Sequence, residues 1–216
     1  MVEKIQTEKD IQRASDALAS QCSHMQRVLK TCGYPPLRLR PTGLEGLVHI
    51  IIAQQLSVAS AKAISERVEV LLDRQWDCQK LTTTSDNDFR AAGLSKTKIR
   101  TLRAVIEAIQ SGHLELDQFE NMSTEAIIQQ LTAIKGIGPW TAQIYLIFSL
   151  GRCDVFASGD LALQIATQNL LKLESRPTMI QMEEIAQQWY PFKSIAARFL
   201  WLWYRVDKQA STGLPI

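Results

Sequence analysis

Three features of the 216-residue chain predict an all-α fold. Apolar residues recur at i, i+3, i+4 and i+7 through most segments, side chains that cap helices precede those runs, and convincing alternation of apolar and polar residues is absent. The exception, "LRLRP" at residues 37–41, is short and ends in proline, so it reads as an extended connection. With 46% hydrophobic and 21% charged residues, the composition is that of an ordinary globular chain with enough apolar surface for a sizeable core. About ten helices joined by short connections are expected.

The elements follow in order. Thr7 opens a helix that runs to about Cys32, where Gly33, Tyr34, Pro35 and Pro36 break it. Thr42 opens the next, with Leu44, Leu47, Val48, Ile51 and Ile52 on one stripe, and the polar "QQLS" of residues 54–57 interrupts it. Ser57 then caps a helix carrying Ala61, Ile64, Val68, Leu71 and Leu72 inward. After a break at residues 93–95 comes a helix with Ile99, Leu102, Val105, Ile106 and Ile109 on its buried face, ended by Gly112. Ser123 caps a helix to about Lys135, and another runs from Trp140 to about Leu150. Asp160 caps a helix through Leu171, and a last pair spans 178 to about 189 and 192 to about 207. The tail at 211–216 is expected to be loose.

Charge and cysteine usage narrow the function classes. The net charge of +2 is only mildly basic, weak support for a nucleic-acid partner. Cys22, Cys32, Cys78 and Cys153 form no C-x-x-C pair and His24, His49 and His113 do not cluster, which argues against a zinc site or a cysteine-ligated iron–sulfur cluster. Free thiols in a reducing cytosol fit that pattern. The charged, polar residues 2–10 are no signal peptide, and the most apolar segment, 44–53, is too short to span a bilayer and carries Glu45 and His49. A cytoplasmic protein with no membrane partner is expected.

Two stretches carry chemistry. In "IKGIGPW" (residues 134–140), Gly136 and Gly138 can take positive φ and bare their N–H groups just before a helix N-terminus, where the dipole favours an anion. Pro139 suits the first helical turn, and Ile137 would plug into the core. By itself a G-x-G turn is most often a plain helix–helix hairpin. In "DVFASGDLALQ" (residues 154–164), Asp160 reads first as an N-cap; a carboxylate at a helix start is also oriented, in a field that favours its negative charge. Lys96, Lys98, Arg100 and Arg103 form either a solvated helix face or, at Lys96 and Lys98, contacts to phosphate. By pattern alone Trp201, Trp203 and Tyr204 are core.

The fuller pattern Leu131-x-x-Ile134-x-Gly136-Ile137-Gly138-x-x-Thr141-Ala142 resembles the helix–hairpin–helix DNA-binding motif. Joined to Asp160 further on, it resembles the helix–hairpin–helix DNA glycosylase superfamily. "GIGPWTA" and "DVFASGDLALQ" are similar to the alkylbase branch, DNA-3-methyladenine glycosylase II, over about residues 44–204.

The resemblance implies two lobes in one glycosylase unit over 1–216, one at about 42–150 with the hairpin at 131–150, the other at about 1–36 plus 151–210. It implies a monomer acting on double-stranded DNA that contains alkylated bases, with no cofactor beyond a sodium or potassium ion on the carbonyls of Ile134 and Gly136. Asp160 becomes the catalytic carboxylate, ahead of Asp154. Gly136, Ile137, Gly138 and Thr141 grip the backbone. The loop Gln55, Leu56, Ser57 supplies a wedge, with Gln55 ahead of Leu56, and Lys96 and Lys98 add phosphate contacts. Trp140, Trp203 and Tyr145 line a pocket for the flipped base. Strand-cleaving members carry a lysine at the position of Trp140, and endonuclease III-like members carry four cysteines near the C-terminus. No cysteine follows Cys153, so the resemblance implies a monofunctional enzyme. The alternatives are a glycosylase for mismatched or oxidised bases and a non-catalytic DNA-binding module.

Overall fold

A computed structural model describes the backbone of residues 4–212 and the side chains of residues 4–207. Among these residues the regular structure is helical, apart from one antiparallel bridge between Lys4 and Arg152. Twelve α-helices are present: α1 (Glu8–Gln21), α2 (Ser23–Cys32), α3 (Gly43–Ala53), α4 (Val58–Leu71), α5 (Cys78–Thr83), α6 (Asp86–Ala91), α7 (Lys96–Gln110), α8 (Thr124–Thr132), α9 (Pro139–Phe148), α10 (Leu161–Leu171), α11 (Met179–Ala186) and α12 (Lys193–Thr212). Two 3-10 turns, Leu116–Asn121 and Gln187–Trp189, complete the set. No helix among the described residues is long and apolar enough to cross a membrane. Residues 213–216 of the tail expected to be loose lie outside the described residues.

The chain forms two compact units, residues 1–39 with 146–216, and residues 40–145. In the first, α12 packs on α10, α1 and α2. Its core holds Leu18, Met25, Leu163, Ile195, Phe199 and the fully buried Trp189, whose ring leans on Phe156 at 5.3 Å. Gly151 sits at φ 66 with its carbonyl accepting the Ile5 N–H at 2.7 Å, and a Cβ there would lie 2.6 Å from the Ile5 oxygen. In the second unit, α3 packs on α4, α7 and the Leu116–Asn121 turn, and α7 packs on α5 and α6. Leu47, Val48, Ile50, Ile51 and Ile52 bury the length of α3.

Two expectations are corrected. The single helix from Thr7 to Cys32 is two, because Cys22 adopts extended backbone (φ −138, ψ 112) between them. The bend lets Ile11, Ala14 and Leu18 of α1 and Met25 and Val28 of α2 all reach the core. The helix count of about ten misses α5 and α6, each six residues long and too short to show a period. Both are legible only through their caps: Asp77 accepts the Lys80 N–H at 2.7 Å and Ser85 accepts the Asp88 N–H at 3.2 Å. The buried stripe of α10 is Leu163, Ala166 and Leu170, and Leu161 is 54% exposed.

Arg103 holds α5 and α6 to α7. Its guanidinium donates to the carbonyls of Leu81 (2.6 Å) and Thr84 (2.7 Å) and pairs with Asp86 at 2.7 Å, with the Phe89 ring 5.4 Å away. These bonds close the carbonyl ends of α5 and anchor the start of α6. Arg103→Ala is expected to destabilise the protein by about 2 kcal/mol, through the lost charge-assisted bonds. Thermal or urea unfolding checks this, and Lys should recover only part of the loss because it lacks the planar fork.

Candidate active site

The hairpin lies at residues 133–138, between α8 and α9. The Ile137 N–H donates to the Ile134 carbonyl at 3.0 Å, and both isoleucines are buried, at 4% and 8% exposure. Gly136 sits at φ 95, and a Cβ on it would lie 1.9 Å from the Thr101 hydroxyl oxygen of α7. Glycine is required there twice over, for the left-handed backbone and for the close approach. Gly138 differs. It is absent from the positive-φ residues, and a Cβ on it would meet nothing within 4 Å. The expectation of two positive-φ glycines is thus corrected to one. Gly138 accepts the Ala142 N–H at 3.2 Å, so it stands at the N-cap of α9, with Pro139 at the first helical position. The fold has no steric need for glycine at 138, which leaves that backbone bare for a close ligand at a helix N-terminus.

The turn after α3 is braced to this hairpin. The Gln54 amide donates to the Gly136 carbonyl at 3.2 Å and to the Thr141 hydroxyl at 2.9 Å. Thr141 is 2% exposed, so its expected contact with DNA is corrected: its hydroxyl receives Gln54 inside the unit. Gln55 turns the chain at φ 56 and is exposed, and Leu56 is 39% exposed beside Val58 at 84%. Left-handed backbone at a non-glycine residue is uncommon and concentrates at functional turns. The Ser57 hydroxyl caps α4 by accepting the Ser60 N–H at 3.2 Å. Lys98 is corrected as well. Its ammonium donates to the Ile52 carbonyl at 2.7 Å, closing the C-terminal turn of α3, and burial pulls its pKa down. Lys96 is exposed at the start of α7. The carbonyls of Ile134 and Gly136, named for a monovalent cation, each accept one hydrogen bond and keep a second lone pair; neutral, hard oxygens of this kind suit such an ion.

Of the three aromatic pocket candidates, Tyr145 is corrected. It is fully buried, its hydroxyl takes the Gly43 N–H at 2.8 Å, and its ring meets Phe119 edge-on at 6.0 Å. Burial pushes the phenol up to about 12, so it stays protonated as a core anchor of α3. Trp140 is half-buried on the first turn of α9. Trp203 is half-buried on α12, with the Arg27 guanidinium 5.2 Å over its ring. A planar cation already rests on that face.

Asp160 is the N-cap of α10 (φ −75, ψ 121), and its Oδ1 accepts the Leu163 N–H at 3.0 Å. The same oxygen accepts the indole N–H of Trp201 at 3.2 Å, a contact the sequence does not announce. Asp154, the competing carboxylate, is paired with the Lys193 ammonium at 3.3 Å. Two residues with evident structural purpose, Gln54 and Trp201, were missed from sequence. Gln54 is chemically identical to its neighbour Gln55, and Trp201 matches a core period.

These elements define a helix–hairpin–helix protein with a helix-capping aspartate downstream of the hairpin. Residues 48–192 match the family described as HhH-GPD superfamily base excision DNA repair protein. The chain is 32% identical over 220 residues to DNA-3-methyladenine glycosylase 1 of Schizosaccharomyces pombe, covering 99% of this chain and 95% of that protein. The crystal structure of a DNA-3-methyladenine glycosidase from Bacillus halodurans is similar at TM-score 0.76 and 34% identity, over 93% of this chain and 90% of that one. The S. pombe 3-methyladenine DNA glycosylase Mag1 in complex with abasic DNA is similar at TM-score 0.82 and 28% identity, over 94% of this chain and all of that one. The protein belongs to the HhH-GPD superfamily of base excision DNA repair proteins.

The two glycines should separate on mutation. Gly136→Ala is expected to cost about 3 kcal/mol or more, from positive φ and overlap with Thr101. Gly138→Ala should cost under about 1 kcal/mol, the preference of an N-cap for glycine over alanine. Its loss should appear in affinity for abasic-site duplex DNA. Thermal denaturation beside fluorescence-anisotropy binding reads both.

Proposed function

We propose that this protein is a DNA glycosylase that hydrolyses the N-glycosidic bond of alkylated bases, 3-methyladenine first and 7-methylguanine also. The observation that carries the reading is the Asp160 carboxylate, held at the start of α10 by the Leu163 and Trp201 N–H groups. The near end-to-end similarity to a DNA-3-methyladenine glycosylase supports it.

The chemistry follows from charge. An alkylated purine is cationic, so it leaves readily and needs little general-acid help. Breaking its bond to deoxyribose develops oxocarbenium character on the sugar, which a fixed carboxylate stabilises in a water-poor site. Asp160 is that carboxylate. Water completes the hydrolysis, and Asp160 orients it as carboxylates do in sugar hydrolysis. The base must leave the stack to be reached. Trp140 and Trp203 are the aromatic faces that attract a cationic base. Gly138 at the α9 start grips phosphate, Lys96 adds a backbone contact, and Gln55 with Leu56 on the left-handed turn fills the gap left by the base. A sodium or potassium ion on the Ile134 and Gly136 carbonyls would add positive charge beside that phosphate. In this reading the enzyme is a monomer, and it is monofunctional because the position of the lyase nucleophile holds Trp140, whose indole cannot form a Schiff base.

Chromatography of bases released from methylated DNA should show 3-methyladenine and 7-methylguanine. Release of 8-oxoguanine from lesion duplexes without 3-methyladenine would instead select the oxidised-base alternative. Asp160→Asn should lower excision by about 10³-fold or more while abasic-DNA binding survives; excision at the wild-type rate would remove Asp160 from the mechanism. Borohydride should trap no covalent protein–DNA adduct, and a trapped adduct would refute the monofunctional assignment.

A further inference from the structure

We infer that Trp201 is a positioning residue for Asp160: its indole N–H fixes the orientation of the carboxylate on which the reaction depends. The inference rests on the reading of Asp160 as catalytic.

An N-cap needs only the bond from its own helix, and Asp160 has that bond from the Leu163 N–H at 3.0 Å. The Trp201 donor, 3.2 Å from the same Oδ1, comes from α12, 41 residues along the chain. Two donors converging on one oxygen from different elements fix the carboxylate plane as well as its position. Capping alone does not call for the second. The indole N–H is a donor only, so it cannot exchange a proton with the carboxylate or stand in for it. Its contribution is orientation, together with a dipole aimed at the negative charge.

Trp201 is itself held. Its ring leans on Phe148 at 5.4 Å and a 33° tilt. Phe148 in turn lies under the Arg198 guanidinium at 4.6 Å. Arg198 is 4% exposed and donates to the Ile147 carbonyl at 3.2 Å and the Arg38 carbonyl at 3.4 Å. Burial, and then the Arg38 charge, pull its pKa down to about 10, which leaves it cationic at neutral pH. The indole therefore rests on an aromatic ring whose place is set by a buried cation bonded to backbone. Supporting shells of this kind hold catalytic groups within the narrow geometry that reaction needs.

Trp201→Phe keeps the ring and removes the donor. Single-turnover excision from an alkylated duplex at saturating enzyme should fall about 10- to 100-fold, the worth of one hydrogen bond to a charged group. Affinity for abasic-site DNA and melting temperature should stay near wild type. A rate fall matched by equal loss of affinity or stability would make Trp201 a packing residue and overturn the inference. Asp160→Asn, run in parallel, separates the two readings. If it excises at the wild-type rate, the catalytic assignment itself fails. If it is inactive while Trp201→Phe is unimpaired, only the positioning role fails. Should Trp201→Phe not fold, the bond is read in the wild-type protein by the indole ¹⁵N–¹H signals, sequentially assigned. The Trp201 signal should move in Asp160→Asn while those of Trp76 and Trp189 stay, and an unmoved Trp201 signal overturns the inference.

Discussion

The contact between Gly136 and Thr101 is the constraint on which the hairpin edge of the second unit depends. A hydrogen atom is all that fits between the Gly136 Cα and the Thr101 side chain. That closeness seats the hairpin on α7 and drives Ile134 and Ile137 into the core. It also places the Gly136 carbonyl and Thr141 hydroxyl where the Gln54 amide bridges them. Lys98, three residues before Thr101, closes the end of α3 through Ile52. The turn that carries Gln55 and Leu56 thus springs from a helix end fixed by one lysine and one glutamine. The candidates for ligand contact, Gly138, Gln55, Leu56 and Lys96, lie at the margins of these braces.

In the first unit one carboxylate caps a helix and is also the candidate catalytic group. As an N-cap, Asp160 stabilises α10 by about 1 kcal/mol, the usual worth of such a bond. As a candidate catalytic group it needs a defined orientation near a helix N-terminus whose dipole favours negative charge. The two demands agree, because the bond that caps the helix also restricts the carboxylate. Asp154 shows the contrast. Its charge is matched by Lys193, and the pair is a structural tie between the segment before α10 and the start of α12.

The cations divide along similar lines. Lys98, Arg103 and Arg198 each donate to main-chain carbonyls, at Ile52, at Leu81 and Thr84, and at Ile147 and Arg38. Apart from the Arg38 carbonyl, which lies in the connection between α2 and α3, these acceptors are at helix ends that would otherwise carry unsatisfied carbonyls. A count of basic residues thus overstates the cationic surface, because these three groups are occupied by the chain's own carbonyls. In the proposed reading, grip on the DNA backbone falls to main-chain N–H groups and exposed lysines such as Lys96.

What the sequence determined by itself is local. Helical period, the caps at Thr7, Ser57, Ser95 and Ser123, and the Gly-Ile-Gly-Pro-Trp order are all readable because capping and periodicity act within one turn. The cap at Asp160 before an apolar run is legible in the same way, while its rank over Asp154 is an implication of the family resemblance. The bend at Cys22, the six-residue helices α5 and α6, the inward turn of Gln54, the burial of Thr141 and Tyr145, and the bond from Trp201 were decided by tertiary structure. Each depends on a partner far along the chain, and no local signal distinguishes Gln54 from Gln55, or a tryptophan that fills a core from one that also donates to an aspartate. Residue type and spacing set which groups are present; only packing between distant helices sets which of their hydrogen-bonding atoms meet each other and which remain for a ligand.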